Sequence, residues 1–158
     1  MFLLAVDSPV GRWGVEGDAH SVHRIVMPND MVALDLDASG PEVLLAATQQ
    51  LAEYFAGTRR YFSVSRALVP ATVFQYDCWR ALETIPYGEV ASYAEIAAAV
   101  GRPRAARAVG NANHANPWPI VVPCHRVVAA KGLGGYGGGI DVKEFLLEIE
   151  RSSVAANA

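Results

Sequence analysis

Strand-like alternation is confined to the front of the chain, and this confinement limits the architecture more than any other feature. Residues 2–6, 11–16 and 22–27 read as short strands, separated by the turn-forming Asp7-Ser8-Pro9 and Glu16-Gly17-Asp18. An antiparallel meander joins them most economically. Residues 41–56 then carry Val43, Leu44, Ala47, Leu51, Tyr54 and Phe55 near helical spacing, with Gly57 as the stop. The stretch 58–70 is arginine-rich, then extended, and ends in a proline. The pattern predicts an α/β unit over 1–68, a small antiparallel sheet plus a helix, and a separate, mostly helical unit over 69–158.

In that second part, residues 72–85 read as a helix with Phe74, Cys78, Trp79 and Leu82 on one face, which makes Cys78 a small buried apolar residue. Pro86-Tyr87-Gly88 forms a turn, and Ser92-Tyr93-Ala94-Glu95 is a capping-box pattern opening a short helix that ends at Gly101. Pro103 suits the first turn of a further helix running to about residue 113. Two short helices joined by Val100-Gly101-Arg102 have the dimensions of a helix-turn-helix. The second is poor in large side chains (Ala105, Ala106, Ala108, Gly110, Ala112), so its backbone can approach a partner closely. Ile120-Val121-Val122 reads as a buried strand or extended segment, residues 132–139 as a glycine loop, and Asp141 as the cap of a last helix to about Arg151.

No apolar run reaches the roughly 18 residues a membrane-spanning helix needs. The first ten residues lack a basic start and meet Asp7 too early for a signal peptide. Two cysteines make neither a disulfide framework nor a zinc cluster, so an intracellular, cytoplasmic protein without metal or cofactor is expected. Charge is unevenly placed. Residues 96–140 hold no Asp or Glu but carry Arg102, Arg104, Arg107, Arg126 and Lys131, so this stretch is +5 within a chain of net charge −3. It can present a positive face to phosphates while the acidic remainder keeps the protein in solution.

Cys124 sits inside that basic stretch, at the end of an apolar segment and directly before His125 and Arg126. Positive surroundings ease loss of the thiol proton, and the thiolate is the nucleophile. A third group is needed to orient the base. On the last helix Val142, Phe145, Leu146 and Ile149 make the apolar stripe. At about 100° per residue, Glu144 and Glu148 point away from it, whereas Glu150 lies at its edge and can reach inward.

Together these residues resemble a known family. Pro-Cys-His-Arg-Val-Val at 123–128 is similar to the active-site signature of the O6-alkylguanine-DNA alkyltransferases (methylated-DNA–protein-cysteine methyltransferases). Ile85-Pro-Tyr-Gly88, Ser92-Tyr93, Arg107-Ala-Val-Gly110, Asn116-Pro117, Gly134-Gly-Tyr136-Gly and the segment 142–150 fall where that family's pattern puts them. The resemblance runs from about Phe74 to Glu150, and in the N-terminal half it is one of style only.

The resemblance implies an RNase H-like N-terminal domain, a winged helix-turn-helix in the C-terminal one, and a repair protein that acts as a monomer. It would flip O6-alkylguanine from duplex DNA and take the alkyl group irreversibly on Cys124. His125 would be the base, acting through a water, with Glu150 holding it and Asn116 bracing the adjoining turn. Tyr93 would assist base rotation and protonate the leaving guanine. Arg107 would fill the gap left by the flipped base, on a minor-groove helix whose Ala106, Ala108 and Gly110 face DNA alongside Arg102, Arg104 and His114. Tyr93, Trp118, Pro119, Val127, Tyr136 and Gly137 would line the guanine pocket. A lesion binder without acceptor chemistry would lack Cys124. A cysteine hydrolase would need an oxyanion hole that nothing here marks. A plain transcription factor would have no use for a nucleophile. The N-terminal half contains no cysteine, which leaves no second acceptor or zinc ligand set there.

Overall fold

The computed structural model describes residues 1–32 and 34–156. The chain divides into two compact units, Met1–Val69 and Pro70–Ala158, a boundary one residue beyond the expected position.

In the first unit β1 (Phe2–Ser8), β2 (Gly11–Gly17) and β3 (Val22–Val26) form an antiparallel sheet in the order β1-β2-β3. β1 and β2 pair from Phe2↔Gly17 to Ser8↔Gly11, so two residues close the hairpin and Gly11 takes the left-handed φ of 127°. Helix α1 (Glu42–Phe55) covers one face, burying Leu44, Ala47, Leu51 and Tyr54 against β1 and β2. Each large apolar side chain so buried contributes roughly 1.5–3 kcal/mol. The extended stretch then returns along the edge of β3, where the Val22 N–H donates to the Ser65 carbonyl at 2.7 Å and the Ala67 N–H to the Val22 carbonyl at 2.9 Å. Those bonds, with the parallel bridge Val22↔Arg66, hold this part of the expected extended stretch against the sheet edge.

The second unit holds α2 (Val73–Leu82), β4 (Ala91–Ser92), α3 (Tyr93–Ala99), α4 (Ala106–His114), β5 (Val127–Val128) and α5 (Ile140–Ala156). Both α2 and α3 begin with full capping boxes, Thr72 with Gln75 and Ser92 with Glu95. Cys78, Leu82, Val109 and Ala112 lie in the core. Trp79 donates its indole N–H to the Ala112 carbonyl at 2.9 Å, satisfying a carbonyl that the end of α4 would leave orphaned. The two-residue parallel ladder Ala91↔Val127 and Ser92↔Val128 fixes the start of α3 beside the chain that leaves Cys124.

Several local expectations change. Helix α2 ends at Leu82 rather than at residue 85, and Asp7, Ser8, Glu16 and Gly17 lie in β1 and β2 rather than in turns. Pro103 and Arg104 lie in a turn, and α4 starts only at Ala106. Residues 120–122 form no strand: Pro119 bridges Val122 across a tight turn in which Ile120 takes φ 75°, a conformation its branched side chain disfavours. Helix α5 contains Asp141 rather than being capped by it, and continues past Arg151 to Ala156.

Candidate active site

The strained turn is what presents the cysteine. The Asn116 carboxamide pins it from both sides, Nδ2 donating to the Val122 carbonyl at 2.8 Å and Oδ1 accepting from the Trp118 N–H at 3.0 Å. The Val122 N–H closes it onto the Trp118 carbonyl at 2.8 Å. Cys124 then opens a single 3-10 turn, Cys124–Arg126, whose three side chains are all buried. Ile120 keeps its unfavourable backbone because the surrounding bonds over-determine it.

His125 and Arg126 both converge on Glu150. His125 Nε2 lies 2.6 Å from Glu150 Oε2, Arg126 Nε donates to Oε1 at 2.8 Å, Arg126 Nη2 to Oε2 at 3.1 Å, and the Gly88 N–H to Oε1 at 3.2 Å. Arg126 also donates through Nη1 to the Ile85 carbonyl at 2.8 Å and lies over the Tyr87 ring. The Ile85-Pro-Tyr-Gly88 turn is therefore part of the site. Glu150 sits fully inside the buried face of α5 with Val142, Leu146 and Leu147, not at the edge of a stripe that also includes Phe145 and Ile149.

These contacts set the protonation states. Burial disfavours the Glu150 anion, but the bonds from His125 and Arg126 outweigh it and hold the carboxyl well below the usual carboxylate range. Burial pushes His125 down, against the pull of Glu150. A neutral imidazole facing an ionised carboxylate must donate from Nε2, which makes Nδ1 the basic nitrogen. Burial also pushes the Cys124 thiol up, countered by Asn116, Tyr136 and the charge of Lys143. The resting cysteine is thus a thiol that needs a base, rather than a standing thiolate.

Lys143 is the residue that sequence reasoning missed. It is fully buried on α5 and donates to the carbonyls of Val127 at 2.6 Å, Leu133 at 2.6 Å and Gly135 at 3.0 Å, tying β5 to the glycine loop. Burial pushes its pKa down to about 8. A signal was present, since Lys143 and Glu150 stand seven apart on the face that Leu146 and Leu147 share.

Of the other expected site residues, Tyr93 and Tyr136 are brought together with Cys124: both phenols are raised by burial first and then by the nearby sulfur, whose thiolate would repel a phenolate. Tyr93 packs against Gly134 and Gly110, where a Cβ would come within 3.0 Å and 3.7 Å of its ring. Gly137 lies against the His114 ring at the end of α4. Val127 is buried in β5, Pro119 is buried in the strained turn, and Trp118 sits in the core edge-on to Trp79. Arg104 and Arg107 are exposed, Ala106, Ala108 and Gly110 half-buried, and Arg102 lies over the Phe74 ring. Among the described residues no group of three or more His, Cys, Asp or Glu could hold a metal, and no helix is long and apolar enough to cross a membrane.

The model of the 6-O-methylguanine DNA methyltransferase DNA-binding domain matches residues 73–152, just over half the chain. The chain is also 42% identical over 156 residues to a methylated-DNA–protein-cysteine methyltransferase of Methanosarcina acetivorans, covering 96% of this chain and 99% of that protein. It belongs to the methylated-DNA–protein-cysteine methyltransferase family. A member from Mycolicibacterium paratuberculosis is 46% identical over 149 residues, 92% of this chain and 90% of its own. The crystal structure of Mycobacterium tuberculosis OGT in complex with DNA superposes with a TM-score of 0.86 at 44% identity, covering 97% of this chain and 94% of that one. The residues matched by the family model include the buried Cys124, His125 and Glu150.

Proposed function

We propose that this protein repairs DNA by extruding O6-alkylguanine from the duplex and moving the alkyl group onto Cys124. The observation that carries the reading is a buried thiol followed directly by a buried histidine that Glu150 clamps at 2.6 Å, in a chain of this family. Cys124 gives its proton to His125 Nδ1 through a water, and the sulfur attacks the alkyl carbon. The S–C bond forms as the C–O6 bond breaks, and the guanine leaves with a proton from the Tyr93 hydroxyl. Asn116 and Tyr136 steady the developing sulfur charge, and Lys143 adds positive charge below its lowered pKa of about 8. Val127, Tyr136, Gly137, Pro119 and Trp118 form or support the pocket for the base.

A base inside a duplex is out of reach, so it must be flipped, at a cost of a few kcal/mol. We read α3 and α4 as a winged helix-turn-helix whose α4 enters the minor groove. Ala106, Ala108 and Gly110 permit that close approach, Arg107 occupies the vacated stack, and Arg102, Arg104 and His114 meet the backbone. Unit 1, expected over 1–68, is read as an RNase H-like companion, and the protein as a cytoplasmic monomer.

Intact-protein mass spectrometry after incubation with an O6-methylguanine duplex tests the reaction. One methyl mass should appear on Cys124 and then no more, because a thioether has no leaving group that the site could displace. Sustained turnover at substoichiometric protein, or the methyl on Cys78, would contradict it. DNA affinity should also fall with salt. For about three phosphate contacts the loss should be roughly ten- to a hundredfold between about 50 and 200 mM. A flat salt dependence would show that the basic stretch does not face phosphates.

A further inference from the structure

Glu150 is engaged by two bases of different kinds, and the second has a role beyond bracing. Arg126 spreads one guanidinium over both carboxylate oxygens, Nε on Oε1 at 2.8 Å and Nη2 on Oε2 at 3.1 Å, while His125 meets Oε2 at 2.6 Å. His125 and Glu150 are completely buried and Arg126 is 7% exposed. In such surroundings opposite charges are screened weakly, so a carboxylate facing only a histidine would favour the imidazolium. An imidazolium cannot accept the thiol proton.

We propose that Arg126 is a positioning residue whose permanent charge, shared across both oxygens of Glu150, keeps His125 uncharged at neutral pH and so available as the base for Cys124. This rests on the repair reading above. With Arg126 in place Glu150 is already compensated, and protonating His125 would put two cations on one carboxylate. The other charged or titratable groups around the ring act in the same direction or are silent. Lys143 on α5 is a further cation, directed to the carbonyls of Val127, Leu133 and Gly135. Cys124 on the same turn and Tyr136 in the glycine loop are neutral at rest, both being pushed up by burial. Coulomb repulsion from Arg126 and Lys143 adds to burial in lowering His125. Guanidinium suits the role because it stays charged in any surroundings and presents two parallel N–H groups to a carboxylate.

The test reads the charge of the ring directly. Imidazole nitrogen NMR on the DNA-free wild type should show His125 neutral, with the proton on Nε2, at pH 7; an imidazolium there overturns the proposal. Arg126→Gln removes the charge and keeps a donor. Its ring should be charged at pH 7, and the acid limb of its single-turnover methyl-transfer rate should move up by a pH unit or more. Transfer near pH 6 is then about tenfold or more slower than in the wild type, with recovery towards pH 9. An unshifted limb in folded Arg126→Gln overturns the assignment. Arg126→Lys restores the charge without the fork and should keep both the neutral ring and the wild-type limb. It decides the matter if the glutamine variant does not fold, because an imidazolium at pH 7 in the lysine variant would show that charge is not the cause. The ring measurement needs no DNA, so a wild type that fails to transfer would overturn the repair reading alone.

Discussion

Glu150→Ala should cost the C-terminal unit about 3–5 kcal/mol and abolish most transfer in whatever remains folded. Truncation leaves the Arg126 guanidinium and the His125 ring buried without their common acceptor, and an uncompensated buried charge is among the most destabilising results of a single substitution. The Gly88 N–H, which donates to Oε1 at 3.2 Å, loses its acceptor as well. Urea denaturation of both proteins measures the effect, and a loss below about 1 kcal/mol would mean that water or a rearranged Arg126 replaces the carboxylate. The pH dependence supplies a second check. Glu150 is depressed in the folded state, so its stabilisation is present above the unfolded carboxylate value of about 4.3 and is lost as pH falls through its lower folded value. His125 is also depressed, and burying it neutral costs stability progressively below about pH 6.5. Wild type should therefore weaken steeply on acidification. The Glu150→Ala variant should start lower and fall less between about pH 5 and 3.

What could be read from the chain alone follows the range of the interactions. The Ser92 cap and the hairpin β1–β2 are decided by neighbours within a few residues; the cap stands where the local pattern put it, and the hairpin forms with Asp7 and Ser8 drawn from the expected turn into β1 and with Pro9 and Val10 closing it. The periodicity changes where the chain becomes extended, close to where the two compact units Met1–Val69 and Pro70–Ala158 meet in sequence. The turn at 118–122 was not. An apolar run with branched side chains is indistinguishable by composition from a strand, and only Asn116, reaching forward to Trp118 and Val122, forces Ile120 to a positive φ. The end of α5 was misplaced because Ser152 to Ala156 contain no breaker, and Val154 gains contact with Gly88, where a Cβ would approach to 2.6 Å. Cys124, His125 and Glu150 emerged from motif and helix geometry. Arg126 and Lys143 did not, because their partners, the Ile85 and Val127 carbonyls and Glu150, lie on other elements that only the fold brings near.

Arg107→Ala should slow repair of a methylated duplex by roughly ten- to a thousandfold while leaving reaction with the free base O6-benzylguanine nearly unchanged. Arg107 is the second residue of α4 and is exposed, so its removal disturbs neither the core residues Val109 and Ala112 nor the cluster around Glu150. The expected loss belongs to extrusion. Unstacking and unpairing a base costs a few kcal/mol, and a side chain that fills the vacancy offsets part of that cost. At about 1.4 kcal/mol per tenfold, surrendering one to three such units gives the stated range. A free base needs no extrusion and meets only the pocket and Cys124, so its rate reports the chemistry separately. His125→Ala serves as the contrast: it removes the base and should depress both substrates together. Single-turnover rates for both variants on both substrates settle the assignment. Equal losses for Arg107→Ala on duplex and free base would place the arginine in support of the pocket, and its role in holding the open stack would be wrong.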